Sequence, residues 1–226
     1  MSLVFLSLAF LLAVSHWFIV YKNWYKAELF FKPAVMLALF LALLAASPRL
    51  EAGLALFAAA ILFSLLGDVF LLFPRRFNLG LAMFLLAHIF YILAFTLPVL
   101  VPHPLVLLPT AFIFLLAAWF YRRLQTSLLE KGLRRLQAPL LAYSVVLSIM
   151  LLAGLATLLR SDWPLPAALL VAAGALLFSA SDGLLAWNKF VRPLRTRRVG
   201  YMIAYHLAQI AILVGALWRY GHFYVS

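Results

Sequence analysis

Apolar residues run through this chain in blocks of about twenty, and polar residues gather between the blocks. Strands would show a period of two, and surface helices one polar face; neither pattern is present. A bilayer core about 30 Å thick is crossed by about 20 helical residues. Blocks near that length lie at about 3–21, 33–48, 51–73, 79–100, 104–121, 138–159, 164–187 and 200–218, which makes eight spans. In hydrocarbon every backbone N–H and C=O needs an internal partner, so each block is predicted to be a helix. Pro33, Pro104, Pro139 and Pro164 stand near block starts. A first helical turn tolerates proline because its N–H has no bond to lose. The second block is short, and so are the connections, so consecutive helices are expected to be antiparallel neighbours. The predicted fold class is all-α: residues 1–226 form one polytopic transmembrane domain with no soluble domain in its loops.

Composition sharpens this reading. The chain is 68% hydrophobic and 11% charged, against about half and about a quarter in soluble domains. A net charge of +12 would fit a nucleic-acid partner, but its distribution does not. Fifteen of the eighteen Lys and Arg residues fall in the first, third, fifth and seventh connections; only Arg49, Arg160 and Arg219 fall on the other side. The positive-inside rule predicts that the odd connections are cytoplasmic and that both termini lie outside. The compact chain and steep bias suit a bacterial inner membrane. No nucleic-acid or protein partner is expected, only lipids. Trp17, Tyr21, Trp24, Trp119, Tyr121, Trp187 and Trp218 cluster near span ends as interfacial anchors. The first block lacks a basic leader and a small-residue cleavage site, and is read as a span and not a signal peptide. With no cysteine, thiolate nucleophiles and thiolate metal sites are excluded.

Two stretches break the pattern: "LFSLLGDVFLLFP" around Asp68 and "LFSASDGLLAWNKF" around Asp182. An aspartate at the centre of a membrane helix costs about 3 kcal/mol on insertion scales. Both lie about five residues, or about 7 to 8 Å, from the basic end of their spans. The other four acidic residues sit in connections or at span ends. Each stretch puts a small residue, Gly67 or Ser181, before the aspartate. Each is followed by a basic connection and a helix carrying His88 or His206. A duplication would set the two carboxylates across a cavity.

The remaining intramembrane polar residues fall on helical faces. His88 and Tyr91 share one face, and Tyr205 and Gln209 another. Ser64, four residues before Asp68, is positioned to hydrogen-bond it. Intramembrane carboxylates mark functional sites by default. Two of them near each other, away from water, would hold one as an acid beside one anion, the pairing that glycosidases use around an oxocarbenium-like transition state. The residues also accommodate a proton-coupled transporter, or a zinc-dependent lipid hydrolase using Asp68, Asp182, His88 and His206. Against zinc, no helix carries a His pair at i, i+4, and His16, His103 and His222 are assigned to the outer ends of spans. No metal or other cofactor is expected.

Taken in order, "FKPAVM", "SLLGDVFLL", "AHIFYILAF", "LFSASDGLLAWNKF" and "YHLAQ" resemble the motifs of the YhhN-like lysoplasmalogenases. The resemblance runs from the second span to the eighth. It implies an integral membrane hydrolase that cleaves the alkenyl ether of a lysophospholipid, giving a fatty aldehyde and a glycerophospho head group. It implies that Asp68 and Asp182 are the catalytic pair. Lys32, His88, Tyr91, Tyr143, Asn188, Tyr205 and Gln209 would then line the substrate pocket, which would open toward the cytoplasmic leaflet.

Overall fold

The apolar blocks fold into eight helices in the computed structural model, which describes residues 1–97, 107–194 and 198–221. They are α1 (Ser2–Lys22), α2 (Tyr25–Ala46), α3 (Ala52–Leu71), α4 (Phe77–Thr96), α5 (Leu107–Glu130), α6 (Gln137–Ala156), α7 (Leu165–Ala186) and α8 (Val199–Arg219). No strand occurs among the described residues. Among the described residues, seven helices are long and apolar enough to cross a membrane, and the protein is a polytopic helical membrane protein. The eighth is α5. Its predicted span begins at 104–106, outside the described residues, as do Pro104, His103 and His222. The helix also runs past its apolar block to Glu130, taking Arg122 and Arg123 into its length.

The second span departs from expectation in a way that matters for the site. Its helix starts at Tyr25, so Pro33 lies inside α2 and not in its first turn. Proline cannot donate to the carbonyl of Leu29 four residues back, yet the helix continues through it. The charges at Lys26, Glu28 and Lys32 suggest a solvated connection. Instead Glu28 and Lys32, one turn apart, both point into the bundle and are buried. Pro139 falls in the first turn of α6, and Pro164 caps α7.

Neighbours in sequence pack as pairs, α1 with α2, α3 with α4 and α7 with α8. Helix α8 runs through the middle, touching α1, α2, α3 and α7. Water supplies no driving force between helices in lipid, so close backbone approach does the work. At Gly215 a Cβ would sit 2.8 Å from the carbonyl oxygen of Ala167, so α7 and α8 meet backbone to backbone. Helix α6 packs against α4, α5 and α7, and α5 lies at the periphery.

The four basic connections converge at one end of the bundle. Lys26, Pro74, Lys189 and Arg198 line one cavity there. Lys131 Nζ joins the same end by donating to the Phe190 carbonyl at 2.6 Å. At the other end Arg160 donates to the carbonyls of Phe95 and Thr96 at 2.8 and 2.7 Å. Asp162 bridges Arg160 and Arg219, each at 2.7 Å. Its hydrogen bonds from Arg160, then the nearby Arg219 charge, hold the Asp162 carboxyl below the usual carboxylate range. A depressed folded-state pKa adds stability above the unfolded pKa of about 4, and that contribution disappears as pH falls through the folded value. Asp162 is 42% exposed, so Asp162→Asn should cost less than about 1 kcal/mol near neutral pH. The difference from wild type should vanish in thermal melts run well below pH 4.

Candidate active site

Asp68 and Asp182 reach the basic half of the bundle from α3 and α7, and each has its own set of partners. Asp182 Oδ2 lies 2.9 Å from His88 Nε2 on α4 and also accepts a hydrogen bond from the Tyr143 hydroxyl on α6. His88 Nε2 and the Tyr143 hydroxyl are 3.0 Å apart, so the three groups form a closed triangle. His88 is fully buried, while Asp182 keeps 12% of its surface. Both contacts fall on Oδ2, and Asp182 lines a cavity.

Asp68 is held differently. Its Oδ1 is 3.1 Å from Lys32 Nζ, and its Oδ2 accepts from the Tyr205 hydroxyl at 2.8 Å. Both members of the ion pair are buried, at 4% and 1% exposed. The Pro33 region of α2 therefore delivers the counter-ion of an intramembrane carboxylate. No hydrogen bond joins Asp68 to Asp182; an aromatic contact links their partner sets. Phe178 packs against Tyr205 with ring centres 5.4 Å apart and against His88 at 4.7 Å. Phe84 closes on the same Tyr205 ring at 5.7 Å. Gly67 makes room for Phe84, since a Cβ there would come within 2.6 Å of its ring. Gly67→Ala should push Phe84 into the neighbouring cavity. The expected result is lost substrate binding out of proportion to a modest fall in melting temperature, checked by measuring both on one preparation.

Two cavities meet at this site. One, of about 250 Å³, lies among α4, α5, α6 and α7 and is walled by Phe84, Phe120, Leu147 and Leu151 with Asp182, Tyr143 and Ser179. It is almost wholly apolar apart from these groups and Ser144 and Ser148. The other, of about 610 Å³, opens at the basic end and is lined by Lys26, Lys32, Lys189, Arg198, Asn188 and Tyr201. Leu71, Phe77 and Leu185 line both, so the two cavities adjoin.

The residues singled out in the sequence are thus divided. Asp182 and Tyr143 face the apolar chamber; Lys32 and Asn188 face the basic one. Asn188 Oδ1 also accepts from the Leu194 N–H at 3.0 Å, holding the turn after α7. Tyr91 and Gln209 face neither chamber. The Tyr91 hydroxyl donates to Gln209 Oε1 at 2.5 Å, and Gln209 Nε2 donates to Ser64 Oγ at 3.0 Å. Ser64 is therefore engaged by Gln209 of α8, while Asp68 takes Lys32 and Tyr205 in place of the expected serine. His206 faces α1, where Trp17 Nε1 donates to its Nδ1 at 2.9 Å. His16, assigned to an outer end, lies in the basic half of α1, 4.0 Å from Glu28 and ring to ring with His206. Sequence reasoning missed Glu28, which pairs with Arg198 at the rim of the basic cavity. The i, i+4 spacing of Glu28 and Lys32 was the available signal, since it puts both on one helix face.

Relatives give this geometry a context. The sequence pattern of the YhhN family matches residues 27–216. A human protein, lysoplasmalogenase TMEM86B, is 33% identical over 195 residues, covering 86% of this chain and 76% of the relative. The mouse protein of that name is 33% identical over 217 residues, covering 94% and 86%. The pig protein of that name is 36% identical over 190 residues, covering 84% and 74%. No solved structure matches the chain. A match that takes in Lys32, both aspartates and all their partners leaves one assignment, and the chain belongs to the YhhN family.

Proposed function

We propose that this protein is a membrane-embedded hydrolase that cleaves the vinyl ether bond of lysoplasmalogens. The observation that carries the reading is a carboxylate, Asp182, opening on an apolar chamber that adjoins a basic one. A single-chain ether phospholipid has the matching chemistry: an apolar tail, a phosphate, and the alkenyl ether between them. The alkenyl chain occupies the apolar chamber, and the phosphate lies among Lys26, Lys32, Lys189 and Arg198. The relatives named lysoplasmalogenase support the same assignment.

Hydrolysis begins with proton transfer from Asp182 Oδ1 to the alkenyl carbon β to the ether oxygen. This leaves an oxocarbenium ion beside the Asp182 carboxylate. His88, with its proton on Nε2, and Tyr143 both donate to Oδ2, so they stabilise the anion as it forms. Water then attacks the cationic carbon and gives its proton back to Asp182. The hemiacetal collapses to a fatty aldehyde and the glycerophospho head group, and one water is consumed per ether cleaved. Asp68 acts as a positioning residue that holds Lys32 at the basic cavity and Tyr205 against Phe178. The fifteen-to-three split of basic residues supports a basic end in the cytoplasm, with both termini outside. The bias fits a bacterial plasma membrane with the site at its inner leaflet.

The test is a panel of alkenyl, alkyl and acyl lysophospholipids presented to purified protein in vesicles, with aldehyde release as the readout. Aldehyde from the alkenyl lipid alone is the expected result. Fatty acid released from the acyl lipid, or no release from any member, would overturn the reading.

A further inference from the structure

The apolar chamber has a second neighbour. On the outer face of α5 and α6 a groove of about 290 Å³ runs from Phe114 at its deep end to Arg122 and Gln125 at the basic end. Ala117, Ser144 and Ser148 line both this groove and the chamber holding Asp182. Three small side chains therefore stand between the membrane-facing surface and the site. Neither serine ties the two helices together. Ser144 Oγ donates to the Leu140 carbonyl and Ser148 Oγ to the Ser144 carbonyl, each at 2.8 Å and each within α6. A bond that does fasten α5 to α6 runs from the Tyr121 hydroxyl to the Gln137 carbonyl, at the basic end.

Helix α5 is also the least enclosed wall of the chamber. It packs against α6, the Arg134–Leu136 turn and the Trp187–Val191 segment, and exposes Phe112, Leu115 and Trp119. Between helices in lipid there is no hydrophobic penalty for exchanging a side-chain contact for an acyl-chain contact. A seam of small residues without cross-helix hydrogen bonds is then the easiest place in the wall to part. Arg122 adds the polar end. It is exposed at the head-group level of the groove, about 12 Å along the helix from Phe114.

We infer that this groove is a lateral binding site for a single-chain phospholipid, and that the α5–α6 seam is its entrance to the chamber. The tail lies toward Phe114, the phosphate rests on Arg122, and the chain passes between Ala117 and Ser148. The occupant is the substrate itself, which the continuity of groove and chamber and the charge of Arg122 both favour. This inference rests on reading the chamber as the hydrolytic site.

The natural absence of cysteine makes the test clean. Ala118→Cys places one thiol in the groove and outside the chamber; Phe112→Cys places one elsewhere on the exposed face of α5. Each variant is reacted with a bulky maleimide and assayed against long-chain alkenyl lysophospholipid in vesicles. Blocking the groove should lower kcat/KM about tenfold with kcat nearly kept, the pattern of impaired entry and not of impaired chemistry. The label at Phe112→Cys should change neither. Unchanged kcat/KM in labelled Ala118→Cys, or equal loss in both variants, overturns the inference. A second measurement needs no turnover. In Asp182→Asn protein, a lysophospholipid carrying a tail diazirine should crosslink to groove and chamber residues, and labelling of Ala118→Cys should suppress it. Crosslinking at the groove without hydrolysis by wild type would sink the hydrolase reading and leave the lipid groove standing. Crosslinking confined to other helices would sink the groove.

Discussion

Asp182→Asn is expected to lower aldehyde release by about two to four orders of magnitude, the usual contribution of a positioned acid. The substitution keeps the side-chain shape. It also keeps an oxygen to accept from His88 Nε2 and from the Tyr143 hydroxyl. What it removes is the transferable proton of a carboxyl that lines the chamber. The fold should be unaffected, because Asp182 contributes no buried ion pair apart from its contact with His88. Activity on vesicle-borne alkenyl lysophospholipid and thermal melting in the same detergent measure the two effects separately. An Asn variant that keeps more than about a tenth of wild-type turnover would remove Asp182 from the proton-transfer step. Tyr143→Phe should show a smaller loss in the same assay, since His88 still donates to the carboxylate.

Asp68→Asn is expected to act on stability first. Asp68 is the counter-ion of a lysine that is only 4% exposed. Removing one partner of a buried pair leaves the other charge uncompensated and costs about 3 to 5 kcal/mol. A fall in melting temperature should therefore accompany any fall in activity. The double substitution Asp68→Leu with Lys32→Met removes both charges, and well-packed apolar replacements of a buried pair are often neutral or stabilising. It should recover most of the lost stability. It should not recover activity, because Lys32 lines the basic cavity and Tyr205 loses the acceptor that orients it. If the double variant regains full turnover, neither residue takes part in holding the substrate. These two experiments separate the aspartates. One is expected to fail in chemistry with its fold intact, the other to fail in folding before chemistry can be judged.

The two carboxylates look equivalent in sequence because each has the same depth, a small residue before it and a basic connection after it. Their inequivalence comes from neighbours contributed by distant helices. Asp182 receives an imidazole from α4 and a phenol from α6; Asp68 receives an ammonium from α2 and a phenol from α8. Each carboxylate thus takes a partner from the opposite half of the chain, which a comparison of the two stretches side by side does not reveal. His88 and His206 occupy matching places in those stretches. Of these two only His88 reaches a carboxylate, because His206 faces α1, where Trp17 engages it.

Hydropathy alone determined the helical class and the membrane-spanning character of the chain, because lipid forces backbone bonds to close within each segment. It also marked Asp68 and Asp182, since an ionisable side chain in hydrocarbon is too costly to carry without a use. Tertiary structure decided what one-dimensional pattern cannot encode. It made the start of α2 a helix with Glu28 and Lys32 turned inward, because the Asp68 counter-ion offsets the cost of burying the ammonium. It divided the site into apolar and basic chambers at Leu71, Phe77 and Leu185, residues that read in sequence as ordinary membrane-facing side chains. In a lipid-embedded bundle, inward and outward faces are equally apolar, so only the packing of one helix on another tells which of them meets the substrate.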